Sequence, residues 1–230
     1  EKGEDCVQYL NGQWAFAIWD KKRDKLFLSR DRLGVRPLFY SLTTDMFLFG
    51  SEIKALLAYP GLTREIDLQA LDQLFTFWVT LPPRTIFKGI SELPPGHSLV
   101  SERGQVTIRS YWNIDYNSSN DSMSEQEAAA TLLELLTDAT RIRLRSDVPV
   151  GAYLSGGLDS TVITALIKKV SVSRLKTFSI SFDDKEFDES GFQQEASGFL
   201  QTDHHAVRCS AQDIGHVFPD VIWHTEKPIL

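Results

Sequence analysis

Cysteine is scarce in this chain: there are two, Cys6 and Cys209, far apart and with no CxxC or CxxH beside either. That spacing excludes a zinc site or a disulfide framework and leaves two free thiols, as in a reducing compartment. Basic clusters are missing too. No run of five Lys or Arg occurs and the formal charge is -7, so non-specific nucleic-acid binding has no electrostatic footing. No apolar run approaches the roughly 18 residues of a membrane helix, and the acidic start EKGED is the reverse of a signal peptide. Internal repeats, low-complexity tracts and a Walker A loop (GxxxxGKS or GxxxxGKT) are also lacking. What remains is the profile of a globular, cytoplasmic protein of small-molecule chemistry. Its 230 residues, 42% hydrophobic and 24% charged, allow two modest cores or one large one. The chain begins without Met and stops at Lys227-Pro-Ile-Leu230, which reads as a piece cut at both ends.

Aromatic-rich short runs separated by polar turns fill residues 14–49 and predict an antiparallel sheet with strands at 14–19, 25–29, 38–40 and 46–49. Helical spacing follows at Ile53, Leu56 and Leu57, ended by Pro60-Gly61, and again at Leu68, Leu71, Leu74 and Phe75. Residues 80–122, with Pro82-Pro83, Pro94-Pro95-Gly96 and the polar run 117–122, read as a connector. Ser124 and Glu127 then have capping-box spacing before a helix carrying Ala128, Leu132, Leu135, Leu136, Ala139 and Ile142. Beyond it strands at 148–154, 175–182 and 204–209 alternate with helices at 159–170, 188–200 and 210–223. Such alternation predicts a parallel sheet covered on both faces. The fold class is therefore α/β in two domains, with 1–79 and 123–230 flanking the connector.

The stretch VGAYLSGGLDST, residues 150–161, places a glycine-rich loop at the C-terminal end of the first strand of the second domain. Ligands of parallel α/β sheets bind there. Gly156 and Gly157 allow close backbone approach and positive φ. The helix start and the hydroxyls of Ser155, Ser160 and Thr161 offer donors to phosphate oxygens. Asp159 would repel a bare phosphate, so its place in the loop fits a Mg²⁺ ion bridging carboxylate and phosphate. The competing reading is an ordinary strand-to-helix turn with Asp159 as a plain N-cap.

Ser155-Gly-Gly-Leu-Asp-Ser160 resembles the pyrophosphate loop of the N-type ATP pyrophosphatases (adenine nucleotide alpha hydrolase-like), which cleave ATP between its α and β phosphates and activate a carboxylate as an adenylate. In the first half, the run from Ser29 to Tyr40, SRDRLGVRPLFY, resembles the RDxxGxxPLYY segment of class II glutamine amidotransferases, an Ntn-type glutaminase fold. Leu10-Asn-Gly-Gln-Trp-Ala-Phe16 and the run from Phe49 to Leu57 resemble two further segments of that domain. Thr85-Ile-Phe87, Pro95-Gly-His97 and Tyr111-Trp112 continue the order. Across nearly its whole length the chain resembles the glutamine-hydrolysing asparagine synthetase family.

That resemblance implies an amino-acid biosynthesis ligase that amidates aspartate through a β-aspartyl-AMP intermediate, using glutamine and ATP with Mg²⁺ and releasing AMP and pyrophosphate. It places nucleotide at Leu154, Ser155, Gly156, Gly157, Leu158, Asp159, Ser160 and Ile180, the last through its backbone, with Asp159 as catalytic and metal-binding acid. Glutamine's ammonium falls to Asn11, where the family has an acid. Cys6 does not match the family's terminal nucleophile and reads as a packed thiol. Asp188-Glu189 read as a helix cap. His204 and His205 point to opposite faces of a strand, while Ala206 replaces the family's Glu. Glu226-Lys227-Pro228 aligns with an Asp-Glu-Pro. The piece as it stands is expected to be inactive, and the full protein to be free of nucleic acid and membrane, with a homodimer among its admissible states. Two rivals stay open: an amide-forming paralogue acting on another carboxylate (β-lactam synthetase-like, or on a glycan or peptide), and a non-catalytic remnant.

Overall fold

The computed structural model describes residues 1–116, 123–171 and 174–227. The chain divides into two units: Glu1–Ser118 together with Val221–Leu230, and Ser119–Asp220. The polar run at 117–122 and Pro228 lie outside the described residues.

The first unit opens with a 3₁₀ helix, Gly3–Tyr9, and continues through strands β1 (Ala15–Asp20), β2 (Lys25–Arg30), β3 (Phe39–Leu42) and β4 (Phe47–Gly50). Helices α1 (Ile53–Leu56) and α2 (Leu68–Phe77) precede strands β5 (Ser91–Glu92), β6 (His97–Glu102) and β7 (Gln105–Ser110). One antiparallel sheet runs β1-β2-β6-β7 and a second runs β4-β3-β5. Residues 97–110 thus belong to the first unit's main sheet. Prolines before the hairpin and an uncommon turn hid it: Arg103 and Gly104 both have positive φ, as two-residue hairpins require, and Arg is not the residue that announces such a turn.

Leu28, Leu38, Tyr40, Leu93 and Leu99 form one core cluster of this unit, and Phe39, Ile53, Leu56 and Ile90 another. Each such side chain contributes about 1.5–3 kcal/mol when fully buried. This unit also buries charges: Arg30, Asp31 and Glu92. Arg30 donates to the carbonyls of Arg36 (2.8 Å), Leu93 (2.7 Å) and Gly34 (2.7 Å) and pairs with buried Glu92 at 2.9 Å. Asp31 accepts the backbone N–H groups of Trp14, Leu33, Val35 and Arg36. Both charges therefore fasten the 31–36 turn. Glu226 caps α1 by accepting the N–H groups of Ile53 and Lys54, and Lys227 pairs with Glu92 at 3.1 Å.

The second unit carries α3 (Glu125–Arg143), β8 (Gly151–Tyr153), α4 (Leu158–Val170), β9 (Lys176–Phe182), α5 (Ser190–Leu200), β10 (Asp203–Cys209) and α6 (Ala211–Thr225), whose last residues fall in the first unit. Ser124 and Glu127 make the reciprocal capping box expected of them. The sheet is parallel, ordered β10-β9-β8. On β9, Thr177 and Ser179 are buried, while Phe178 and Ile180 on the alternate positions are exposed. Helix α5 does the same, burying Gln193 and Ser197 and exposing Phe192 and Phe199.

Candidate active site

β8 ends at Tyr153, and Leu154 continues its line, donating its N–H to the Phe178 carbonyl at 2.8 Å with its side chain wholly buried. The chain then turns. Gly156 takes φ +89°, and a Cβ there would stand 2.9 Å from Phe192 Cβ and 3.0 Å from the Gln193 backbone nitrogen. Gly156 is thus demanded twice, by its backbone angle and by the approach of α5. Gly157 has an ordinary φ of -73° and is the N-cap of α4.

The hydroxyls of the loop bond within it. The Ser155 N–H donates to Ser160 Oγ (3.2 Å), and the two serine hydroxyls lie 2.9 Å apart. The Gly157 N–H donates to Ser155 Oγ, while Ser160 and Thr161 hydroxyls both donate to the Gly157 carbonyl. Within the loop these hydroxyls hold the turn. The donors left for a ligand are the first N–H groups of α4, which no side chain caps.

Asp159 sits in the first turn of α4 and is exposed, one position beyond Leu158, itself 79% exposed. The competing reading of Asp159 as N-cap fails, because Gly157 holds that position and no side chain bonds the cap. With Ser160, Tyr153, Thr140, Arg143 and Ile163 it lines a cleft of about 470 Å³. No group of three or more His, Cys, Asp or Glu able to hold a metal occurs among the described residues. A lone carboxylate beside anion-binding N–H groups suits Mg²⁺, which takes one or two carboxylates and completes its shell with water and phosphate oxygens.

Ile180 lies on β9, paired with Val207 of β10 and past the last residue of β8. Its carbonyl accepts Gln193 Nε2 at 2.9 Å. Gln193 was not among the residues expected to matter. The available signal was a carboxamide on the helix face opposite Phe192 and Phe199. Asp188 accepts Ser190 N–H and Oγ–H and the Phe182 N–H, tying the end of β9 to α5. The Ser190 hydroxyl, chiefly, holds its carboxyl below the usual carboxylate range. It does the capping, whereas Glu189 makes no cap bond. His204 bonds Thr177 and Ser179, and burial pushes its pKa down. His205 stacks instead on Phe178 across the other face. In the first unit Asn11 is exposed on the turn between the 3₁₀ helix and β1, and Cys6 is half-buried and free.

Comparison with known proteins identifies the class first. Residues 1–112 match the family described as glutamine amidotransferase domain, and residues 131–230 match the family described as asparagine synthase. The chain is 42% identical over 226 residues to glutamine-hydrolyzing asparagine synthetase 3 of Bacillus subtilis (strain 168), which covers 92% of this chain and 36% of that protein. It is 34% identical over 245 residues to amidase chyE of Penicillium rubens, covering 99% of this chain and 36% of that one. With glutamine-hydrolyzing asparagine synthetase 1 of Bacillus subtilis the figures are 30% identity, 98% of this chain and 35% of that protein. The chain belongs to the glutamine-hydrolysing asparagine synthetase family. It spans about a third of the length of these relatives.

Proposed function

We propose that the chain forms part of a cytoplasmic, glutamine-dependent asparagine synthetase, a ligase that uses ATP to amidate aspartate. In this reading the first unit is the C-terminal part of an Ntn-type class II amidotransferase domain, where Asn11 accepts a hydrogen bond from the ammonium of glutamine. The second unit is the N-terminal part of an ATP-pyrophosphatase domain. The aspartate side-chain carboxylate attacks the α phosphorus of ATP, the bond from that phosphorus to the bridging oxygen breaks, and β-aspartyl-AMP and pyrophosphate form. Ammonia then attacks the acyl carbon, expels AMP and loses a proton. The free N–H groups at the start of α4 face the departing pyrophosphate, where fixed donors matter most. A Mg²⁺ ion held by Asp159 would neutralise charge on that leaving group.

The observation that carries this reading is the pairing of an uncapped helix start with an exposed carboxylate that has no role in the turn. Asp159→Asn in the full protein should cost about 2–4 kcal/mol of transition-state stabilisation, roughly 30- to 1000-fold in kcat/KM for AMP formation, with folding intact. AMP formation within twofold of the parent would remove Asp159 from the site. A second reading keeps the chemistry and changes the acceptor, favoured by the relative named an amidase and by Ala206 on β10. ATP–pyrophosphate exchange that ignores added aspartate would select it.

A further inference from the structure

Glu92 lies on β5 with its carboxylate buried, and two cations reach it. Arg30 meets one oxygen at 2.9 Å, while Lys227, 135 positions further along the chain, meets both at 3.1 Å. Arg30 has more to hold than this pair. Its guanidinium also serves the carbonyls of Gly34, Arg36 and Leu93, so four acceptors share one cation. A carboxylate draws a guanidinium away from carbonyls, because charge-assisted bonds are about twice as strong as neutral ones. Lys227 relieves that contest. By facing both Glu92 oxygens it leaves Arg30 to the 31–36 turn, and the cations Arg30 and Lys227 then balance the carboxylates Glu92 and Asp31.

The place of Lys227 is itself enforced. Glu226, the residue before it, has φ +55°, a left-handed backbone that a residue other than glycine keeps only where its surroundings hold it. What holds it is its own carboxylate, which accepts the Ile53 and Lys54 N–H groups at the start of α1 and pairs with Lys54 Nζ at 3.4 Å. Residues 226 and 227 belong to the first unit, although the match to the asparagine synthase family, over 131–230, includes them. On its other side the turn is tied to the segment that carries Asn11. Asp31 accepts the Trp14 N–H and donates its own N–H to the Trp14 carbonyl at 2.9 Å. We infer that Lys227 is a positioning residue for the glutamine half-reaction, acting through Glu92 and Arg30 on the 31–36 turn and through that turn on residues 11–14. This inference rests on the glutamine reading of the first unit given above. The Lys227 side chain sets how firmly Arg30 grips the turn, so its loss affects the binding of glutamine and leaves the nucleotide chemistry alone.

Steady-state kinetics of the full protein, with glutamine or ammonia as nitrogen donor, test this. Lys227→Met keeps most of the side-chain length and removes the charge. It should raise the KM for glutamine about three- to tenfold at unchanged kcat, while ammonia-dependent turnover and ATP–pyrophosphate exchange stay as in the parent. Lys227→Arg, whose fork also suits a carboxylate, should hold the glutamine KM within about twofold of the parent. A Lys227→Met protein with the parent's glutamine KM would overturn the inference. So would equal losses with both nitrogen donors, which mark damage to the fold, or a Lys227→Arg protein as weak as Lys227→Met, which marks shape and not charge. A parent that exchanges pyrophosphate but releases no glutamate from glutamine would overturn the glutamine reading of the first unit, and this inference with it.

Discussion

Asp31 shows how one carboxylate can hold a turn. Burial raises its pKa most, but four backbone N–H groups outweigh that and leave the folded value below the usual carboxylate range. A depressed carboxylate contributes stability above its unfolded pKa of about 3.9 and loses it as pH falls through the folded value. Asp31→Asn should therefore cost about 1–3 kcal/mol at pH 7, through donors left without a charged acceptor. The gap to the parent should close in acid, once pH has fallen through that lowered folded value and the parent's own carboxyl is protonated. Urea unfolding at the two pH values reads this out, and a gap that persists in acid means shape, not charge, is what the turn needs.

Two adjacent glycines play different parts in the loop element. Gly156→Ala meets both a left-handed backbone and the Phe192 and Gln193 backbone of α5, and should cost the second unit about 2–5 kcal/mol. Gly157→Ala has ordinary φ and only Ser155 Oγ nearby, at 3.4 Å. It should lose at most about 1 kcal/mol as an N-cap yet weaken Mg-ATP binding by setting a methyl among the free N–H groups. Thermal unfolding paired with calorimetric nucleotide titration separates the two. Elements of strong local chemistry were legible in the sequence: the Ser124 box, the β8 turn and the alternation from β8 to α6 all lie where pattern placed them. The β6-β7 hairpin was not, because Arg103 conceals its turn and Pro94-Pro95 its entry. Gln193 was hidden for a different reason. Periodicity follows apolar faces, whereas the residues that meet between β9 and α5 are the polar ones.

At the scale of the molecule, the proposed function gives two units two half-reactions, and a change in one should leave the other alone. In that reading Asn11 meets the ammonium of glutamine, and an amide there forgoes the charge-assisted part of a hydrogen bond that a carboxylate would make, about 1 kcal/mol. Asn11→Asp should lower the KM for glutamine roughly fivefold and leave kinetics with supplied ammonia unchanged. An equal change with both nitrogen donors means the substitution alters the fold. The seam of Thr177, Ser179, Gln193, Ser197 and His204 beneath α5 has its own thermal consequence. Apolar contacts like those of Leu28 and Leu99 weaken on cooling, because hydrating apolar surface raises the heat capacity. Polar surface lowers it, so a seam closed by hydrogen bonds opens with little heat-capacity change and keeps its strength in the cold. Near freezing, amide exchange should slow at β9 and α5 relative to the strands around Leu28, and the order of protection within the chain should invert on warming.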